Sequence, residues 1–427
     1  MKANKQKMAI YFVSAFIVLV LILSIILIPR FSTQKENNLL KSLIGINSKY
    51  LVNDYWYSNQ QYAFNKSSNT NRQEMLTEEQ QEKINEGIVS FKNWRDTQYL
   101  DIINWKGNSE QAIRPWAHYS FALSVMLKYD LLDKSISKQD ATLMECKLIS
   151  SLAKYHCANT KNGWGGTWQS ALWAENIGFA SWLMWDNLSN EDQNNVTRMI
   201  VYEANRFIDY KVPYYKDRQG NVIYKGDTKA EENAWNSRIL ALAVCMFPDN
   251  ENVNKWEQKL FELLLSSTST PEDVFSDEQI DGVVLSDILN GSNINSDGSV
   301  INHGLYHIDY SATTIEGMTD CIIIYSLAGR KIPQSAIHNL DLMYDALVNL
   351  DLGKYEAAKA GHHFFERDSE GNPTFEINMP GDNDWGGHWY GSYYLVDTVC
   401  DAFNMDNTCE NGLKAKDWAY QHLSKIA

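Results

Sequence analysis

Between Asp297 and Tyr310 the chain carries two imidazoles (His303, His307), two phenols (Tyr306, Tyr310) and two carboxylates (Asp297, Asp309) around a glycine turn. Groups of this kind are costly to bury, because each needs a partner once it leaves water. Proton-transfer chemistry does use them, since His and Tyr serve as general acids and bases. His303 and His307, four apart, could share zinc on a helix. However, no HExxH-type base lies between them and Gly304 weakens a helix, so neither a metal nor a cofactor is expected.

Three further clusters combine indoles with amides, carboxylates and glycines. They are Asn162 to Gln169 with Trp164 and Trp168, Gly226 to Asn236 with Glu232, Asn233 and Trp235, and Asn383 to Tyr390 with Trp385, His388 and Trp389. This is the composition of a carbohydrate cleft, where flat rings stack on sugar faces and short polar groups bind hydroxyls. Trp164, Trp168, Glu232, Trp235, Asn302, Trp385, His388 and Trp389 are accordingly candidate substrate contacts. Trp173, Trp182 and Trp185 read as plain core. Glu231 and Glu232 also suit a helix N-terminus, where the helix dipole stabilises carboxylates.

The elements that must position these residues have a helical period. Arg114–Leu132, Lys138–Cys157, Trp168–Leu188, Glu191–Tyr210, Ala230–Phe247, Val253–Ser267, Thr313–Gly329, Pro333–Leu350, Trp389–Phe403 and Gly412–Ile426 all read as helices, after an earlier one at Thr77–Tyr99. Short loops make consecutive helices antiparallel neighbours. Helices apolar all round alternate with amphipathic ones, as an inner and an outer ring require. The expected fold is all-α, an (α/α) toroid or incomplete barrel of helical hairpins. Lys211–Thr228 and Phe365–Asn383 lack the helical period and read as small β-hairpin insertions at its mouth.

Ahead of these helices, Met8 to Ile28 is apolar apart from Tyr11, Ser14 and Ser24, and lysines precede it. A run of roughly 20 such residues spans a bilayer, and the flanking lysines put the N-terminus in the cytoplasm. Residues 1–30 thus read as a transmembrane signal anchor, 31–75 as a tether and N-terminal extension, and 76–427 as the toroid domain. The bulk of the chain is expected on the extracytoplasmic side of the cell membrane. A net charge of −15 argues against nucleic acid as a partner. In an exported chain the six cysteines permit disulfides, Cys400 with Cys409 being the more plausible pair, while Cys245 and Cys321 read as buried thiols.

The string Asp297-Gly298-Ser299-Val300-Ile301-Asn302-His303, followed by Tyr306 and Tyr310 before a helix, resembles the Asp-Gly-Ser-aromatic-Ile-x-His…Tyr segment of the α/α-toroid polysaccharide lyases acting on hyaluronan, chondroitin and related polymers. Asn233 with Trp235 stands where that family places, on an earlier inner helix, an Asn that contacts the uronate carboxyl. The resemblance spans Trp164 to Asn404 and implies the helical half of such a lyase without its β-sandwich half. The position strictly matching the family's tyrosine is Ala312, which leaves Tyr306 and Tyr310 as candidates.

What the resemblance implies is β-elimination beside a uronate. Asn233 would steady the enolate, His303 would be the base or orient it, and Tyr306 or Tyr310 would protonate the leaving oxygen or act as the base itself. The expected partners are a polysaccharide or oligosaccharide substrate and, through the N-terminal helix, the membrane. Two rival readings stand beside this one. A glycoside hydrolase on the same toroid would use paired carboxylates, Glu232 with Asp297 or Glu175 with Asp384. A non-catalytic glycan-binding protein would need none of this chemistry.

Overall fold

The computed structural model describes residues 110–130, 132, 137–352, 363–378, 390–406 and 414–426. These residues are mostly helical, with a few short antiparallel strand pairs. The Met8–Ile28 segment, the helix expected over Thr77–Tyr99, Cys409 and the cluster holding Trp385, His388 and Trp389 lie outside them. Among the described residues no helix is long and apolar enough to cross a membrane. The chain divides into two compact units, with the division at Glu203/Ala204.

In the unit ending at Glu203, α1 (Glu110–Lys128) packs on α2 (Lys138–Lys154) and α3 (Ser170–Leu183), and α4 (Asn190–Asn205) follows. The side chains from Ser170 to Ser181 on α3 are all buried, as expected for a helix with few charges. Ahead of α3, the Gly-rich segment is pinned by Glu203. Its Oε1 accepts from His156 Nε2 (3.0 Å), the Gly166 N–H (2.7 Å) and Ser170 Oγ (2.9 Å). His156 Nδ1 accepts from the Ala158 N–H, so Nε2 carries the proton given to Glu203. A fully buried carboxylate with three donors is a structural pin.

In the unit from Ala204, α5 (Ala230–Met246) packs against both α6 (Val253–Ser267) and α8 (Ile308–Leu327). β1 (Lys216–Asp217) precedes α5, and between α6 and α8 come β2 (Gln279–Ile280), β3 (Val283–Val284), the single-turn α7 (Leu285–Ile288), β4 (Gly291–Ser292), β5 (Ile301–Asn302) and β6 (Leu305–Tyr306). Beyond α8 come α9 (Leu340–Asn349), a hairpin of β7 (Phe365–Arg367) and β8 (Pro373–Ile377), α10 (Tyr390–Ala402) and α11 (Ala415–Ile426). α8 also packs on α9 and α10, and α10 on α11.

Several helix ends shift from the periodic reading by up to five residues, among them the ends at Leu183 and Asn205, and three differences go further in kind. α8 starts at Ile308 rather than Thr313, because β6 ends at Tyr306 and extended His307 serves as its N-cap. The expected Pro333–Leu350 helix is interrupted: a 3-10 turn at Gln334–Ala336 precedes Asn339, which takes a φ of 56° and restarts the helix. β1 pairs with β4 as well as closing its own turn through the Lys216–Val222 bridge, so this insertion is tied across the unit. The Phe365 hairpin forms as read, and Cys245 and Cys321 are buried as expected.

The α5–α8 crossing is close because Gly317 faces Ala234. A Cβ on Gly317 would lie 2.9 Å from both the carbonyl carbon and the Cβ of Ala234. One turn along, Ser237 Oγ lies 3.2 Å from Cys321 Sγ, and Arg238 pairs with Asp320 at 3.0 Å. Gly317→Ala should therefore overpack the crossing and cost about 1–3 kcal/mol of stability, read as a lower denaturation midpoint. An unchanged midpoint would show that the helices do not meet this closely.

Candidate functional site

The site forms where the β5–β6 hairpin meets the loop entering α5. Gly304 N–H donates to the Gly226 carbonyl (2.9 Å), and Thr228 N–H donates to the Ile301 carbonyl (2.8 Å). Both glycines have positive φ, 70° at Gly226 and 77° at Gly304. A Cβ on Gly226 would approach Gly304 Cα to 2.9 Å, so the two backbones touch as only glycine allows. His303, at the hairpin tip, is held at a φ of 52°, a left-handed conformation that is uncommon for a non-glycine residue and clusters at functional sites.

That tip directs His303 at the first turn of α8. His303 Nε2 lies 2.9 Å from Tyr310 Oη, within hydrogen-bond distance, and the imidazole is exposed to solvent. His307 is buried behind the pair, its ring edge-on to Tyr310 at 4.6 Å and 5.9 Å from that of His303. Burial, and then the neighbouring His303, push His307 down to about 4, so it stays neutral. Burial, and then the carboxylates of Glu231, Asp227 and Asp309, lift the Tyr310 phenol to about 12. Tyr310 therefore rests as the neutral acid. Asp309 beneath it is buried and accepts a hydrogen bond from the Tyr393 hydroxyl of α10, which ties α8 to that helix.

On the α5 side, Asn302 Nδ2 donates to Asp227 Oδ1 (3.3 Å) and to Glu231 Oε1 (3.2 Å), while its Oδ1 accepts from the His303 N–H (2.7 Å). Lys229 bridges Asp227 (2.8 Å) and Glu232 (3.3 Å) and sits 4.8 Å above the Tyr224 ring. Burial first, and then the charges of Asp227 and Glu232, raise the Glu231 carboxyl to about 8. Lys229 is raised too: its hydrogen bond to Asp227 and its attraction to Glu232 outweigh its loss of hydration.

The structure brings together His303, Tyr310, Asn302 and, on α5, Glu231. Tyr306 stays on β6, half-buried and opposite Ile301 in the ladder, and Tyr310 is the phenol that bonds His303. Asn233 does not join them. It is fully buried, with Nδ2 donating to the Pro213 carbonyl and to Ser266 Oγ, both at 3.0 Å. Residues two apart on a helix point to roughly opposite sides, so when Glu231 faces Asn302, Asn233 faces α6. The enolate-steadying role expected of Asn233 is thereby corrected. Glu232 goes to Lys229 and to Tyr210 Oη (3.4 Å).

The indoles are also redistributed. Trp235 is buried, one turn along α5 on the Glu231 side. Trp164, in the other unit, is core: its Nε1 donates to the Leu152 carbonyl (2.8 Å) and its ring stands edge-on to His156. Trp168, in that same unit, is 57% exposed. The aromatic ring exposed beside the hairpin is Tyr224, flanked by exposed Val222 and Ile223. Glu231 and Tyr224 were not singled out as site residues from sequence. For Glu231 a signal existed, since it falls on the helical stripe of Ala234, Trp235 and Arg238 that faces α8.

The described carboxylates of the hydrolase reading are taken by neighbours, Glu232 as given above. Asp297 Oδ1 accepts from the Ser299 N–H (3.0 Å) and Oγ (2.5 Å), and Glu175 is buried in the other unit, bonded to Asn176. Asp384 lies outside the described residues. Among the described residues, no group of three or more His, Cys, Asp or Glu is placed to hold a metal ion. No protein family, no curated protein and no solved structure matches this chain.

The raised Glu231 carboxyl has a thermodynamic consequence. In the folded chain it keeps its proton up to about pH 8, against an ordinary value of 4.5. Between those values the folded state binds more protons than the unfolded one. Stability therefore falls as pH rises, by up to about 1.4 kcal/mol per pH unit from this group. Glu231→Gln cannot ionise, so its melting temperature relative to the parent should climb from pH 5 to pH 8. Parallel melting curves across that range would refute the assignment.

Proposed function

We propose that this chain is a membrane-anchored, extracytoplasmic carbohydrate-active protein that cleaves a uronate-containing polysaccharide by β-elimination, on a helical scaffold of the (α/α) toroid type. The scaffold reading is supported by the alternation of helices buried all round (α3, α5) with amphipathic successors (α4, α6). The anchor reading rests on the apolar run from Met8 to Ile28 and its flanking lysines.

The observation that carries the chemistry is the 2.9 Å pairing of His303 Nε2 with Tyr310 Oη on an exposed hairpin tip. Because burial, with the carboxylates of Asp227 and Asp309, holds the phenol in its neutral form, Tyr310 is the acid and His303 the base. With substrate in place, His303 Nε2 takes the C5 proton. The C4–C5 double bond forms as the C4–O bond breaks, and the Tyr310 hydroxyl gives its proton to the leaving oxygen. An imidazolium then faces a phenolate across the same short distance. Proton return between them resets the pair with no further group. Tyr224, exposed beside the hairpin, offers a ring face for a sugar.

A second reading, a glycan-binding protein without turnover, is favoured by the burial of Asn233, which leaves the pair without the amide that the lyase resemblance asks for. One experiment separates the two. Incubation with uronate polymers should release unsaturated ends, seen by their ultraviolet absorbance, and His303→Ala should lower that rate by about 10²–10⁴-fold with folding intact. Binding without any absorbance change in the parent chain would favour the binder. A parent rate retained in His303→Ala would remove His303 from the chemistry.

A further inference from the structure

Glu231 is a carboxyl buried to 4% exposure in the first turn of a helix, beside two other acidic groups, where an apolar residue would cost less. What it touches explains its retention. Its Oε1 is one of two acceptors for the Asn302 amide, the other being Asp227. With both amide hydrogens taken by oxygens, the carboxamide has only one orientation, and that orientation aims Oδ1 at the His303 N–H. The N–H belongs to the residue in left-handed conformation whose imidazole meets Tyr310. An unbroken run of hydrogen bonds thus leads from α5 to the reacting pair.

We infer that Glu231 is a positioning residue for the His303–Tyr310 pair, acting through the Asn302 carboxamide on the backbone of the hairpin tip. The inference rests on the reading of that pair as the proton-transfer machinery. The charged and titratable groups around Glu231 are Asp227, Lys229 and Glu232 from its own loop and helix, His303 from the hairpin, and Asp309 and Tyr310 from α8. Lys229 is already bridged to Asp227 and Glu232, and its pull on Glu231 is outweighed by burial and by those two carboxylates. The protonated carboxyl, raised to about 8, suits this role: it accepts from Asn302 without adding a further negative charge beside the Tyr310 phenol. Gln at this position would present the same acceptor oxygen.

The test uses the full-length chain with histidines labelled at the ring carbon, the His303 resonance being assigned by its loss in His303→Ala. Glu231→Met keeps the volume but removes the acceptor. In it, the His303 resonance should shift and broaden, and its cross-relaxation with the Tyr310 ring should weaken. In the elimination assay kcat should fall about tenfold or more with KM changed less than about twofold. Glu231→Gln should restore both readouts. Asn302→Ala should reproduce the Glu231→Met resonance, and adding Glu231→Met to it should change the resonance no further. An unchanged His303 resonance in Glu231→Met overturns the inference, as does a Glu231→Gln variant that behaves like Glu231→Met. The resonance is read independently of turnover. A chain with no elimination activity therefore defeats the functional reading, whereas an unresponsive His303 defeats the positioning.

Discussion

Two backbone hydrogen bonds, Gly304 to Gly226 and Thr228 to Ile301, hold the hairpin against the loop that enters α5. Everything proposed for the site depends on them. Their geometry leaves no room for a Cβ at Gly226, which would come within 2.9 Å of Gly304 Cα, and at Gly304 it is the positive φ of 77° that favours glycine. Once they meet, Asn302 comes within reach of the first turn of α5, and His303 is turned over the start of α8. The approach is made with main-chain atoms, so the side chains at the tip stay available for chemistry.

The same unit spends many polar groups on holding helices together. Arg238 pairs with Asp320 across the α5–α8 crossing, where burial raises the Asp320 carboxyl while Arg238 opposes the rise. Burial likewise lifts the half-buried Glu316 to about 7. Asp397 takes His422 (2.7 Å) and the Tyr344 hydroxyl (3.0 Å), joining α9, α10 and α11. Each such arrangement costs desolvation, and removing one partner is more damaging than never having had the pair. Near neutrality, the interior is therefore held by carboxyls whose neutral form burial favours. The His303–Tyr310 pair differs from all of them in facing solvent.

Much of the scaffold was legible in sequence because helix period and capping are local. The Ala230–Phe247 and Val253–Ser267 readings agree with α5 and α6 to within a residue, since apolar spacing and bounding loops set their ends. The early start of α8 was not legible. The residues at its N-terminus, His307 to Ala312, are those suspected of chemistry, and no apolar stripe marked them as helical. The break at Asn339 was hidden too, because its left-handed backbone is stabilised by a hydrogen bond to the distant Thr268 carbonyl.

For the site, the division follows sequence distance. His303 and Tyr310 are seven residues apart, so a glycine turn followed by the first turn of a helix brings them together by local geometry. Their residue types alone marked the segment. Which part of α5 faces them is a different matter. Adjacent helix positions differ by about 100° in direction, so Glu231, Glu232 and Asn233 point three ways. Only the contact of Gly226 with Gly304, and of Gly317 with Ala234, decides that Glu231 is the one turned towards Asn302. The choice among three neighbouring polar residues rests on backbone contacts between segments some seventy to eighty residues apart, and no spacing within α5 carries that information.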